Sequence, residues 1–134
     1  MGVMRKGTTP VKIKSSCIVF ALALFVSACT SGRLEYLTAE GERKVACETE
    51  YTWQPSVDKY AVEYVLAHCA QEAVSRGYTV EDTALLEKDL SVSPPPEGKA
   101  WSHELAKQYH AKGMLTDKEY GYLIAYLDLG HDSD

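Results

Sequence analysis

No apolar run in this 134-residue chain is long enough to cross a bilayer. The longest, Cys17 to Val26 (CIVFALALFV), has ten residues. As a helix it would span roughly 15 Å, about half of a hydrocarbon core. Catalytic fingerprints are missing too: G-x-S-x-G, the P-loop and the dinucleotide glycine motif are all absent. Basic charge is scarce beyond residue 28. Arg5, Lys6, Lys12 and Lys14 precede that point, so ten of the 14 Lys and Arg remain beside all 19 Asp and Glu, a formal charge of −9. That balance argues against nucleic acid and anionic lipid headgroups as partners, and fits a soluble surface or a basic partner.

What is present begins with an ordered set of signals. A basic head is followed by the apolar run, and no acidic residue occurs before Glu35. The run ends at Val26-Ser27-Ala28-Cys29. A short buried helix would carry a polar face, and this run has none. The tetrad resembles the lipobox of bacterial lipoprotein signal peptides: a branched apolar residue, two small residues, and the cysteine that receives diacylglycerol. The resemblance covers about 29 residues. It implies cleavage between Ala28 and Cys29 and a membrane anchor on Cys29, made durable by two or three acyl chains. With Thr30 after the cysteine rather than aspartate, it also implies an outer-membrane address, facing the periplasm, in the cell envelope.

On that reading residues 1–28 are a signal peptide, residues 29–38 a lipidated tether, and residues 39–134 a small domain. Cys17 leaves with the signal and Cys29 carries lipid, so Cys47 and Cys69 remain as an even pair in an oxidising compartment. A disulfide between them is expected; two separate buried thiols are the alternative.

The periodicities point to an all-α domain of three or four helices forming two αα-hairpins. Residues 39–53 are ambiguous. Thr38 can cap a helix over Ala39 to Cys47, yet Val45, Cys47, Thr49, Tyr51 and Trp53 alternate as a strand does, with only Leu34 to Thr38 nearby as a partner. The helix is preferred. Ser56 then caps a helix whose apolar stripe runs from Ala61 to Val74 and which Gly77 stops. Thr79 caps a second, Val80 to Leu90, before a Pro-rich spacer, Ser91 to Lys99. Trp101, Leu105 and Tyr109 mark a third, ended by Gly113. Thr116 and Glu119 form a capping box for the last, with Leu115 and Tyr120 as a hydrophobic staple and Gly130 as its stop.

Ala111 to Leu127 resembles the short C-terminal helical module called SHOCT, which is associated with oligomerisation, although capping chemistry alone produces most of the shared features. The likeness departs at Tyr126 and Asp128. It makes a homo-oligomer an open expectation.

Candidate chemistry is thin. His103, Glu104 and His110 invite a zinc reading, but the histidines are seven residues apart, roughly 10 Å along a helix, too far to share one ion. His68 beside Cys69 diverges by about 100° on a helix. Tyr60, Tyr64 and His68 align at four-residue spacing, either as a partner surface or as packing against the Cys47 segment. No catalytic, cofactor or metal residue is therefore expected. Nine tyrosines and two tryptophans favour interfaces instead. The expectation is a non-catalytic envelope lipoprotein acting by contact with an envelope protein. The alternative is a periplasmic inhibitor or immunity protein against a basic toxin or peptidoglycan hydrolase.

Overall fold

The alternation of Val45, Cys47, Thr49 and Tyr51 is that of a strand. In a computed structural model describing residues 30–131, β2 (Arg43–Tyr51) pairs antiparallel with β1 (Thr30–Leu37). The expected signal segment, the expected cleavage site between Ala28 and Cys29 and the expected lipid site Cys29 lie outside the described residues. The all-α expectation is thereby overturned: the domain is a two-stranded hairpin joined to three α-helices. The expected helix over residues 39–47 is absent, and the stretch read as a tether is β1 itself. Thr38 does cap a structure, but the structure is the hairpin turn. Its backbone amide donates to the Glu42 carbonyl (2.9 Å), and its hydroxyl accepts from the Glu42 amide (3.1 Å).

The sheet turns one face inward. Leu34 opposes Cys47, Gly32 opposes Thr49 and Thr30 opposes Tyr51, while Arg33 and Glu48 form an ion pair on the solvent face (3.0 Å). The register slips at Ala46, so that Glu35 opposes Val45. This one-residue bulge lets Ala46 and Cys47 both reach the core.

Helix α1 (Pro55–Ser75) runs back beneath the hairpin. Its N-cap is Gln54 rather than Ser56, because Pro55 occupies the first helical position, where a missing N–H costs nothing. Asp58, fully buried, accepts the Gln54 backbone N–H at 2.9 Å. At the other end the amides of Gly77 and Tyr78 donate to the carbonyls of Val74 and Ala73 (2.9 and 3.1 Å), with Gly77 at a φ of 91°. That is a Schellman stop, in which the positive φ suits glycine.

Beyond it the expected helix over Val80 to Leu90 shrinks to a 3-10 turn, Thr83–Glu87. Thr79 caps no helix; it exchanges two backbone hydrogen bonds with Leu37 (2.8 and 3.0 Å), adding a bridge to the edge of β1. The Gln71 side-chain amide donates to the carbonyls of Leu85 and Lys88 (3.4 and 3.1 Å), fastening the turn to α1. The Pro-rich spacer is fastened as well: the Trp101 indole donates to the Ser93 carbonyl (2.7 Å), and the Ser93 hydroxyl to Glu119 (2.9 Å).

The final hairpin comprises α2 (His103–Ala111) and α3 (Asp117–Asp128). Ser102 caps α2, accepting the Leu105 amide at 3.1 Å. Both bonds of the Thr116–Glu119 capping box are made (3.1 and 2.9 Å). Leu115 and Tyr120 share one buried cluster with Leu123 and Leu127. Of the two αα-hairpins expected, this one forms. Helix α1 is the shared centre, with the sheet on one flank and α3 on the other.

Candidate functional site

Burial of apolar area stabilises the fold, so large side chains left outside need a reason. Two such places are prominent among the described residues, one near each end of the sheet.

The first lies where β1 begins and β2 ends. Trp53, 57% exposed, stands just past β2 and meets the Tyr120 ring edge-on at 5.7 Å. With Tyr51, Ile124, His103, Glu104 and Lys107 these residues line a cleft of about 270 Å³ with largely apolar walls. Its polar rim is ordered by Asp128. One carboxylate oxygen accepts the Tyr51 hydroxyl at 2.9 Å, and the other lies 2.7 Å from the Nε2 of His103. Burial first, and then the bond to Asp128, hold the Tyr51 phenol well above its usual ionisation range. A carboxylate-oriented imidazole is a familiar catalytic part. Here both partners are exposed, and no serine, threonine or cysteine lines the cleft among the described residues. The arrangement braces β2 against α3 and leaves an aromatic face open.

The second place is the opposite end, where the C-terminal half of α1 meets the turn end of the sheet. Tyr36 and Tyr78 stack with ring centres 4.4 Å apart, bringing β1 and the segment after α1 together. They and Val45, 43% exposed, wall a hollow of about 330 Å³ floored by Ala46, Cys69 and Ala73 and rimmed by His68, Glu72 and Arg76. Arg76 and Glu72 pair at 3.2 Å on its lip. Apolar walls with charges of both signs at the rim suit a protein side chain with a polar end.

The disulfide is present. Cys47 and Cys69, with Cα atoms 6.4 Å apart, join β2 to α1 between these two places. The Tyr60, Tyr64 and His68 stripe is not a continuous partner surface. Tyr64 is buried and meets Tyr122 edge-on at 5.2 Å, while Tyr60 packs beside Gly121. Small residues at Gly121 and Ala125 bring α3 close enough to cover both tyrosines. His68 stays partly open at the rim of the hollow, 3.7 Å from Glu72, and Tyr60 is half-buried. His103 and His110 hold separate carboxylates, Asp128 and Asp117, each at 2.7 Å. No group of three metal-ligating side chains is assembled among the described residues.

Trp53 was legible only as the last member of a strand-like alternation. The placement of Tyr51 and Asp128, 77 positions apart, left no local signal. No family model matches this chain, and no curated protein or solved structure matches it either.

Proposed function

We propose that this chain is a lipid-anchored protein of the bacterial cell envelope. Fastened through Cys29 and facing the periplasm from the outer membrane, it acts without catalysis, by contact with another envelope protein. The anchor rests on the lipobox-like Val26-Ser27-Ala28-Cys29. The disulfide fits an oxidising compartment. The observation that carries the contact reading is the hollow beneath Tyr36 and Tyr78, an open concavity of mixed polar and apolar lining with aromatic walls, a two-signed rim, a disulfide in its floor and a ring stack in its wall. A rigid concavity loses little entropy on binding.

The test has two arms. Labelled fatty acid fed to cells should appear on the protein and vanish in Cys29→Ala. A photo-crosslinking residue at Val45, which is exposed and bears no core load, should capture the same envelope protein repeatedly, while one at Lys112 should not. Tyr78→Ala should cut that capture at least fivefold. Capture unaffected by Tyr78→Ala would overturn the contact reading.

A second reading has its own support. Glu35, Glu48 and Glu50 share the solvent face of the sheet with Arg33 and Arg43, leaving it net acidic. Such a face suits a basic partner, as an inhibitor or immunity protein would need. Co-expression with periplasmic toxins or peptidoglycan hydrolases, and the salt dependence of any complex, separates this reading from the first.

A further inference from the structure

The start of β1 fixes how the domain must lie if Cys29 is lipidated, and the following inference rests on that reading. Thr30, the residue after Cys29, is already paired with Tyr51. Consecutive Cα atoms are about 3.8 Å apart, and paired strands run about 5 Å apart. The Cα of Cys29 is thus within roughly 16 Å of Trp53, two residues beyond Tyr51. The turn end of the sheet, seven residues along β1, stands roughly 23 Å from Thr30. There is no slack between lipid and sheet, so the end bearing the aromatic cleft is held at the bilayer.

That end has the composition of an interfacial anchor. Trp53 is 57% exposed, more than the other tryptophan, Trp101, at 7%. Tyr51 and Ile124 continue its apolar surface, while Lys107, His103 and Glu104 form a polar border. Tryptophan and tyrosine favour the headgroup level of a bilayer, where an amphipathic ring meets both lipid and water. The charges nearby are mixed in sign: Lys107 stands with Glu104 at the cleft, and Asp128 lies against His103. They favour a zwitterionic surface over an anionic one, where a basic excess would be needed.

We infer that the Trp53 cleft docks on the lipid surface as a second contact beside the acyl chains, with the Tyr36–Tyr78 hollow held out from the membrane toward a partner. The occupant is the bilayer, because the chain outside the described residues ends in the lipidated cysteine at this same edge. A protein partner at the cleft would have to displace the membrane to which the adjoining residue is tied.

The experiment uses the full-length precursor, processed in cells, purified and placed in zwitterionic phosphatidylcholine–phosphatidylethanolamine vesicles with or without brominated acyl chains. Trp101 is buried and serves as a constant background, confirmed with Trp53→Phe. The emission assigned to Trp53 should fall at least twofold in brominated vesicles. Unchanged Trp53 emission, with lipid on Cys29 verified by mass spectrometry, overturns the docking and leaves the lipoprotein reading standing. Docking is likewise overturned if Trp53 is shielded by a crosslinked protein or by a second copy. A Cys29 without lipid overturns both. Should Trp53→Phe disturb the fold, iodide quenching of the unaltered protein decides. Vesicle binding is expected to halve the iodide sensitivity, and unchanged sensitivity counts against docking.

Discussion

A β-carbon on Gly121 would fall 2.7 Å from the carbonyl oxygen of Val57, and equally close to the Cβ of Tyr60. Helices α1 and α3 therefore touch backbone to backbone at this point, and the obstacle is main chain rather than a side chain able to swing away. Gly121→Ala is expected to push the helices apart and destabilise the domain by roughly 1–3 kcal/mol, as overpacking does. Urea unfolding followed by circular dichroism measures it, and an unchanged midpoint would contradict this account of the contact.

The Cys47–Cys69 bond closes a loop between residues 22 positions apart. Loop-closure entropy sets its contribution at roughly 3 kcal/mol. Cys47→Ala with Cys69→Ala, or reduction, should lower stability by that order. It should also loosen the hairpin first, because β2 then loses its covalent tie to α1. Hydrogen exchange of the β2 amides, compared with those of α3, reads this order.

Glu119 links acid sensitivity to the capping box. Its carboxylate accepts first the Thr116 backbone amide and then the Ser93 hydroxyl, which hold it below the usual carboxylate range. A depressed folded value means its contribution is full above the unfolded value. That contribution is lost as the pH falls through the lower folded one. Glu119→Gln should flatten this part of the acid unfolding curve. Thr116→Ala, which removes the hydroxyl of the cap, should cost about 1 kcal/mol at neutral pH.

Four tyrosines set the alkaline limit. Burial is the leading cause that raises Tyr51, Tyr64, Tyr120 and Tyr122; Asp128 adds to the shift at Tyr51, and Glu63, which accepts the Tyr122 hydroxyl, adds to it there. Their stabilising effect is complete below the unfolded value of about 10 and is lost as the pH climbs toward the raised folded values. Absorbance at 295 nm should show these four ionising together with unfolding. Ionisation of these four without loss of helix would contradict it.

Local chemistry made some of this visible in advance. Thr116, Glu119, Leu115 and Tyr120 lie within six positions, so the capping box and staple could be read directly, as could the stop at Gly77 and the expectation of a disulfide between Cys47 and Cys69. The hairpin could not. Val45 to Trp53 carries the period of a strand, but β1 contains Gly32, Arg33 and Glu35 and looks like a tether until β2 lies beside it. The 83–87 segment has the leucines of a helix, yet Gln71 claims its carbonyls and Leu37 claims Thr79.

By itself, then, the order of residues determined where α1 and α2 stop, at Gly77 and Gly113, and where α3 starts and stops, because caps and glycine stops act over one or two turns. Only the tertiary structure decided that residues 30–51 are a sheet, that Tyr64 is core rather than surface, and that Tyr51 meets Asp128. Each of these depends on groups brought together from distant positions, and a strand has no hydrogen-bond partners of its own until another segment supplies them.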